Sequence, residues 1–142
     1  MSEIKPKYVT KRNNEEHPAY QASDAEMLLH APTIRQLLAH HVGREQAINA
    51  DTIAARIGIT GKNANRRVRS IIARMVDEHG DFIGSSPHAP TGYWMIKDRD
   101  EVKSVLINWR NRSLAIMRRY KRLSDMAYRT YGIPVEQLKL EM

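Results

Sequence analysis

The sequence predicts a mainly helical fold that carries one small β-hairpin and ends in a long helix. Three observations predict it. From Ile48 to Met75 apolar residues recur at spacings of three and four on both sides of a tight Gly58-Ile59-Thr60 turn, the pattern of two short helices packed through a bend. After Gly80 two extended runs flank the proline-rich segment SPHAPTG. From Asp98 onward Val102, Leu106, Trp109, Ser113, Ile116, Tyr120, Leu123 and Ala127 step by four and three, a heptad-like seam on one long helix.

At 142 residues and 42% hydrophobic, the chain has enough apolar side chains for one modest core and not for two independent ones. With no cysteine it has no disulfide, no thiolate metal site and no cysteine nucleophile. No apolar run is long enough to span a bilayer, and the N-terminal residues have the form of neither a signal peptide nor an anchor, so a soluble cytoplasmic protein is expected. The formal charge of +7 is unevenly spread. Residues 61–79 hold five basic and two acidic side chains, and residues 100–122 hold seven and two. A clustered basic surplus is the footprint of a phosphate-backbone partner.

Residues 1–22, with Pro6, Pro18 and a polar KRNNEE run, read as a flexible arm. Ser23 is placed to cap a short helix that runs through His30 and stops at Pro32. Thr33 then starts a second helix with Ile34, Leu37, Leu38 and Val42 on its apolar face, closed by Gly43. His40 and His41, adjacent on that helix, point about 100° apart and so are not a metal pair; no metal or cofactor is expected. Ile48 suits a short strand pairing or a staple contact, and Asn49 caps a helix whose Ile53, Ala54 and Ile57 face inward. Gly58 ends it in the left-handed conformation, Ile59 plugs the turn and Thr60 caps the next helix, predicted from Gly61 to about Glu78.

On that helix Ala64, Val68, Ile71, Ile72 and Met75 form the core stripe. Advancing about 100° per residue puts Arg66 nearly opposite, with Lys62, Arg69, Ser70 and Arg74 on the outer half or flanks and Asn63 and Asn65 near the N-terminal end. Arginine bonds guanine O6 and N7 and asparagine bonds adenine N6 and N7, so this surface has the chemistry of a helix that reads the major groove of DNA. The extended runs Asp81 to Ser85 and Tyr93 to Lys97 are expected to pair as a wing, with Phe82, Ile83, Tyr93 and Met95 covering the helices and Ser86 and His88 near its tip. Asp98 caps the long helix, with Glu101 at its third position. Gly132 stops it, and Val135, Leu138 and Leu140 form a short amphipathic end.

The span from Thr33 to Ile96 resembles the winged helix-turn-helix domain of bacterial biotin-repressor-like regulators and of small phage and prophage proteins. The resemblance rests on Asn49 to Ile57, Gly58-Ile59-Thr60, Lys62 to Met75 and Gly92-Tyr93-Trp94. It implies DNA contact through Lys62, Asn63, Arg66 and Arg69; Thr91, where such wings often carry a second glycine, and the proline-rich tip depart from the pattern. The expected organisation is a flexible arm (1–22), a winged helix-turn-helix domain (23–97), a long basic dimerisation helix (98–130) and a tail (131–142). The expected function is that of a transcriptional regulator of phage or prophage type, a non-enzymatic homodimer on double-stranded DNA. Thr60, Lys62, Asn63, Asn65, Arg66, Arg69, Ser70, Ser86, His88, Arg118 and Arg119 are the DNA-contact candidates, and Leu106, Trp109, Ile116, Tyr120 and Leu123 the dimer contacts. The alternative is an interaction protein whose winged helix binds a host protein or RNA.

Overall fold

A computed structural model describes residues 21–134. The elements are α1 (Asp24–Leu38), a 3-10 turn (Arg44–Gln46), α2 (Ala50–Ile57), α3 (Ala64–His79), β1 (Ile83–Ser86), β2 (Gly92–Met95) and α4 (Arg99–Tyr131). The chain divides into two compact units, and the division falls inside α4 between Val102 and Lys103. Residues 1–20 of the expected N-terminal arm and the amphipathic end from Val135 lie outside the described residues, and Ala22, assigned to that arm, is instead buried in the core.

Within the first unit, α1, α2 and α3 enclose one core. Met27, Ala31, Ile34 and Leu38 supply it from α1, Ile53 and Ala54 from α2, and Val68, Ile71, Ile72 and Met75 from α3. The spacing of the α1 residues is continuous across Pro32, and this overturns the expectation of two helices there. Proline removes one N–H and crowds the preceding turn. Here that loss falls on an exposed face, while burial of Ala31 and Ile34 on the opposite side holds the helix together. Ser23 does cap α1, in a reciprocal box with Glu26, whereas Thr33 lies in mid-helix and caps nothing. The helix ends at Leu38, four residues before Val42, which is exposed and meets β2 through a bridge to Met95.

Asn49 caps α2 by accepting from Thr52 N at 2.8 Å, and Gly58 ends it with φ +84°. Ile59 is buried in the turn. The next helix starts at Ala64, later than expected, because Gly61 takes φ +104° and interrupts a helical path. Thr60 is exposed and does not cap it; Lys62 and Asn63 consequently sit on the turn ahead of α3.

Strands β1 and β2 pair antiparallel in the register Ile83 with Met95, Gly84 with Trp94, Ser85 with Tyr93 and Ser86 with Gly92. Ile48 extends the pairing by exchanging two backbone hydrogen bonds with Tyr93, 2.9 and 2.8 Å. Phe82, expected to cover the helices, is 63% exposed, and Trp94 is the deeply buried aromatic at 1%. Gly84 makes room for it: a Cβ there would lie 2.6 Å from the Trp94 ring.

In α4 the exposed large apolar residues are Leu106, Ile107, Leu114, Ile116, Met117, Leu123, Met126, Tyr128 and Tyr131. Gly132 closes the helix at φ +68° with its N–H on the Tyr128 carbonyl.

Candidate nucleic-acid interface

The outer face of α3 is built by what its inner face buries. Val68, Ile71, Ile72 and Met75 fix the rotation of the helix, and the remaining side chains divide around it. Arg67 and Arg74 turn toward the start of α1. The Arg67 guanidinium donates to Glu26 at 2.9 Å, and this hydrogen bond is the main reason the Glu26 carboxyl titrates below the usual carboxylate range. Arg74 joins Asp24, Glu78 and the Ala22 carbonyl. These contacts tie α3 to α1 across the core edge. On the other flank the Asn65 amide donates to Asp51 of α2 at 2.9 Å.

Between those flanks Arg66 and Arg69 are exposed on α3, with Lys62 and Asn63 exposed on the turn just before it. Arg69 lies close enough to Tyr93 for its charge to be felt there: burial pushes the Tyr93 phenol up, and Arg69 opposes that shift. Ser70 is half-buried beside Arg66 in a shallow open groove of about 280 Å³, shared with Asn63, Arg67, Glu26, Gln21 and Ala22. An open groove lined mainly by polar and charged residues suits an extended polar partner more than an enclosed small molecule. Among the described residues no group of three or more His, Cys, Asp or Glu is placed to hold a metal ion. His41 Nδ1 meets the Gln46 carbonyl at 2.8 Å.

The expected contact residues of the hairpin fare differently. His88 is exposed in the β1–β2 loop. Ser86 is engaged inside it, accepting from Arg44 Nη2 and from His88 N, each at 3.1 Å, and facing the His88 carbonyl. Arg118 and Arg119 are exposed on α4 in the second unit.

Neither a family model, nor a curated protein, nor a solved structure matches the chain.

One group with a larger part than the sequence suggested is Glu101. It was legible only as the third residue of a capped helix, and Asp98 does accept from its N–H at 2.9 Å. Its carboxylate also accepts from Trp94 Nε1, Arg44 N and Lys97 N, all at 3.0 Å. Arg44 stacks loosely over Trp94, 5.9 Å from the ring centre, and its Nε is buried with no partner among the described residues. The hairpin, the 3-10 turn and the start of α4 are therefore joined through one carboxylate. No local spacing announces a contact between residues 44 and 101; the unusual feature visible in sequence is a tryptophan in a short strand, whose indole N–H requires an acceptor when buried.

Proposed function

We propose that this chain is a DNA-binding regulator of winged helix-turn-helix type, in which α2 and α3 form the helix-turn-helix and the β1–β2 hairpin the wing. The observation that carries the reading is the exposed basic surface around the start of α3. Arg66 is exposed opposite the core stripe and Arg69 toward the outer half of the helix, with Lys62 and Asn63 exposed just ahead of it. A helix presented in this way, after a glycine turn that fixes its angle to the preceding helix, offers guanidinium groups to base edges and phosphates. The reading is of a binding protein and not of an enzyme, a transcription factor of the kind carried by phages and prophages. A homodimer built on α4 completes it, since two reading heads gain affinity and symmetry that one lacks.

Electrophoretic binding to random duplex DNA over a salt series tests the class. Each phosphate neutralised contributes a slope of about −0.9 in log affinity against log salt, so a steep negative slope is expected. Absence of binding at low salt overturns the proposal. Selection of bound sites from a random pool then gives the preferred sequence, and a palindrome is the expected form for a symmetric dimer.

A further inference from the structure

One face of α4, exposed at Leu106, Ser113, Met117, Tyr128 and Tyr131, half-buried at Trp109 and Tyr120 and buried at Ser124, has an internal order that a seven-residue repeat does not describe. Leu106, Trp109, Ser113, Met117, Tyr120, Ser124, Tyr128 and Tyr131 step by three, four, four, three, four, four and three. This is an eleven-residue repeat: Leu106, Met117 and Tyr128 are equivalent, as are Trp109, Tyr120 and Tyr131, and Ser113 and Ser124. Eleven residues in three turns stay close to the natural pitch of an α-helix, so such a stripe runs nearly straight along the axis. The order of steps also reads the same in both directions. Its centre is the peptide bond between Arg118 and Arg119.

From this we infer that two copies of the chain pair through α4 in antiparallel register, with the two-fold axis passing level with the Arg118–Arg119 bond. Leu106 then stands opposite Tyr131 of the second copy, Trp109 opposite Tyr128, Ser113 opposite Ser124, and Met117 opposite Tyr120. The two smallest side chains of the stripe share a layer, and the large ones pair with large ones at matched heights. Ile116 and Leu123 widen one flank. The inference rests on the homodimer part of the functional reading and is independent of DNA binding.

Area supports a second copy as the occupant. The exposed parts of Leu106, Ile116, Met117, Leu123, Tyr128 and Tyr131 together present on the order of 800 Å², the area one partner contributes to a standard interface. Charge is compatible with it as well. At about 100° per residue, Arg110 falls at the edge of the stripe, and Arg118, Arg119, Arg122 and Arg129 fall on the side of the helix away from it. Two copies meeting on the stripe keep these guanidinium groups apart and in water, and a parallel array of cations across the seam is avoided.

The absence of cysteine from the 142-residue chain makes the register measurable. Leu106→Cys and Tyr131→Cys are prepared as separate variants, both at exposed positions at the ends of the stripe. They are treated singly and as a mixture with a short bis-maleimide that spans about 8–10 Å, the separation of packed helices. The antiparallel register gives cross-linked dimer in the mixture and little in either variant alone, because like positions lie about 37 Å apart along the axis at 1.5 Å per residue. Cross-linking of each variant with itself overturns the register and leaves a parallel dimer. A wild-type monomer by sedimentation at tens of micromolar, with no cross-link in any sample, overturns the dimer itself. Retained helical circular dichroism in both variants excludes misfolding as the cause of a missing product.

Discussion

Two of the four arginines on α3 anchor the helix to α1. Arg67 and Arg74 meet acidic partners on α1, and Arg74 also meets Glu78 on its own helix, so their charge is spent on holding helices together. Arg66 and Arg69 are exposed on the outer face. Arg66→Ala is therefore expected to cost about 1–3 kcal/mol against the preferred site and to relax its base preference. Arg118→Ala is expected to weaken all sequences alike. Binding of both variants to the selected site and to a scrambled duplex separates the two outcomes, and equal losses everywhere would reduce Arg66 to a phosphate contact. Glu101 governs stability rather than reading. Replacing it by Ala strips the acceptor from the buried Trp94 indole and from two backbone N–H groups, at an expected cost of about 2 kcal/mol. A urea midpoint unchanged from wild type would show that water replaces the carboxylate. The core stripe of α3 and the outward phase of Arg66 were legible from spacing alone. That Asn65 answers to Asp51, and Ser86 to Arg44, was not, because those partners are distant in sequence.

Local signals located the elements well where a residue has a single conformational use. Asn49 as cap, Gly58 as left-handed stop and Gly132 as terminator all hold, since each exploits a backbone demand that no neighbour changes. Pro32 and Thr60 misled for different reasons. The proline's penalty of about 3 kcal/mol is outweighed by burial of a continuous apolar stripe, in which Met27, Ala31, Ile34 and Leu38 hold α1 together, whereas Thr60 is left off the helix because Gly61 takes a positive φ and α3 starts only at Ala64. Pro32→Ala is accordingly expected to stabilise the protein by about 1–3 kcal/mol, seen as a rise in Tm, because the Leu28 carbonyl regains an N–H partner. A lower Tm would mean that the proline contributes rigidity worth more than the missing bond. In the hairpin, Gly84 is required by the Trp94 ring beneath it and Gly92 by its positive φ and its closeness to the Ile48 carbonyl. In the sequence Gly84 falls within the extended run Asp81 to Ser85 and Gly92 in the proline-rich segment, with neither contact visible.

For the molecule as a whole, electrostatics couple folding to the same surface that the functional reading uses. Hydrogen bonding to Arg67 lowers the Glu26 carboxyl below its unfolded value, so the stabilisation it gives is present above that value and is lost as pH falls through the depressed one. Glu26→Gln should be less stable than wild type at neutral pH, and the gap should close as pH falls through the depressed carboxylate value. Chemical denaturation at a series of pH values measures it; a gap independent of pH would assign the effect to lost packing. Among the described residues no helix is long and apolar enough to cross a membrane. By itself the sequence determined the mainly helical composition, the glycine turn, the core stripe of α3, the small antiparallel hairpin and the extent of α4, because periodicity and capping act over a few residues. Only the tertiary structure decided that α1 is one helix, that Trp94 is buried under Gly84, that Glu101 joins three segments, and that Arg67 and Arg74 tie α3 to α1. Those outcomes turn on contacts between residues tens of positions apart, where packing and charge outweigh local preference.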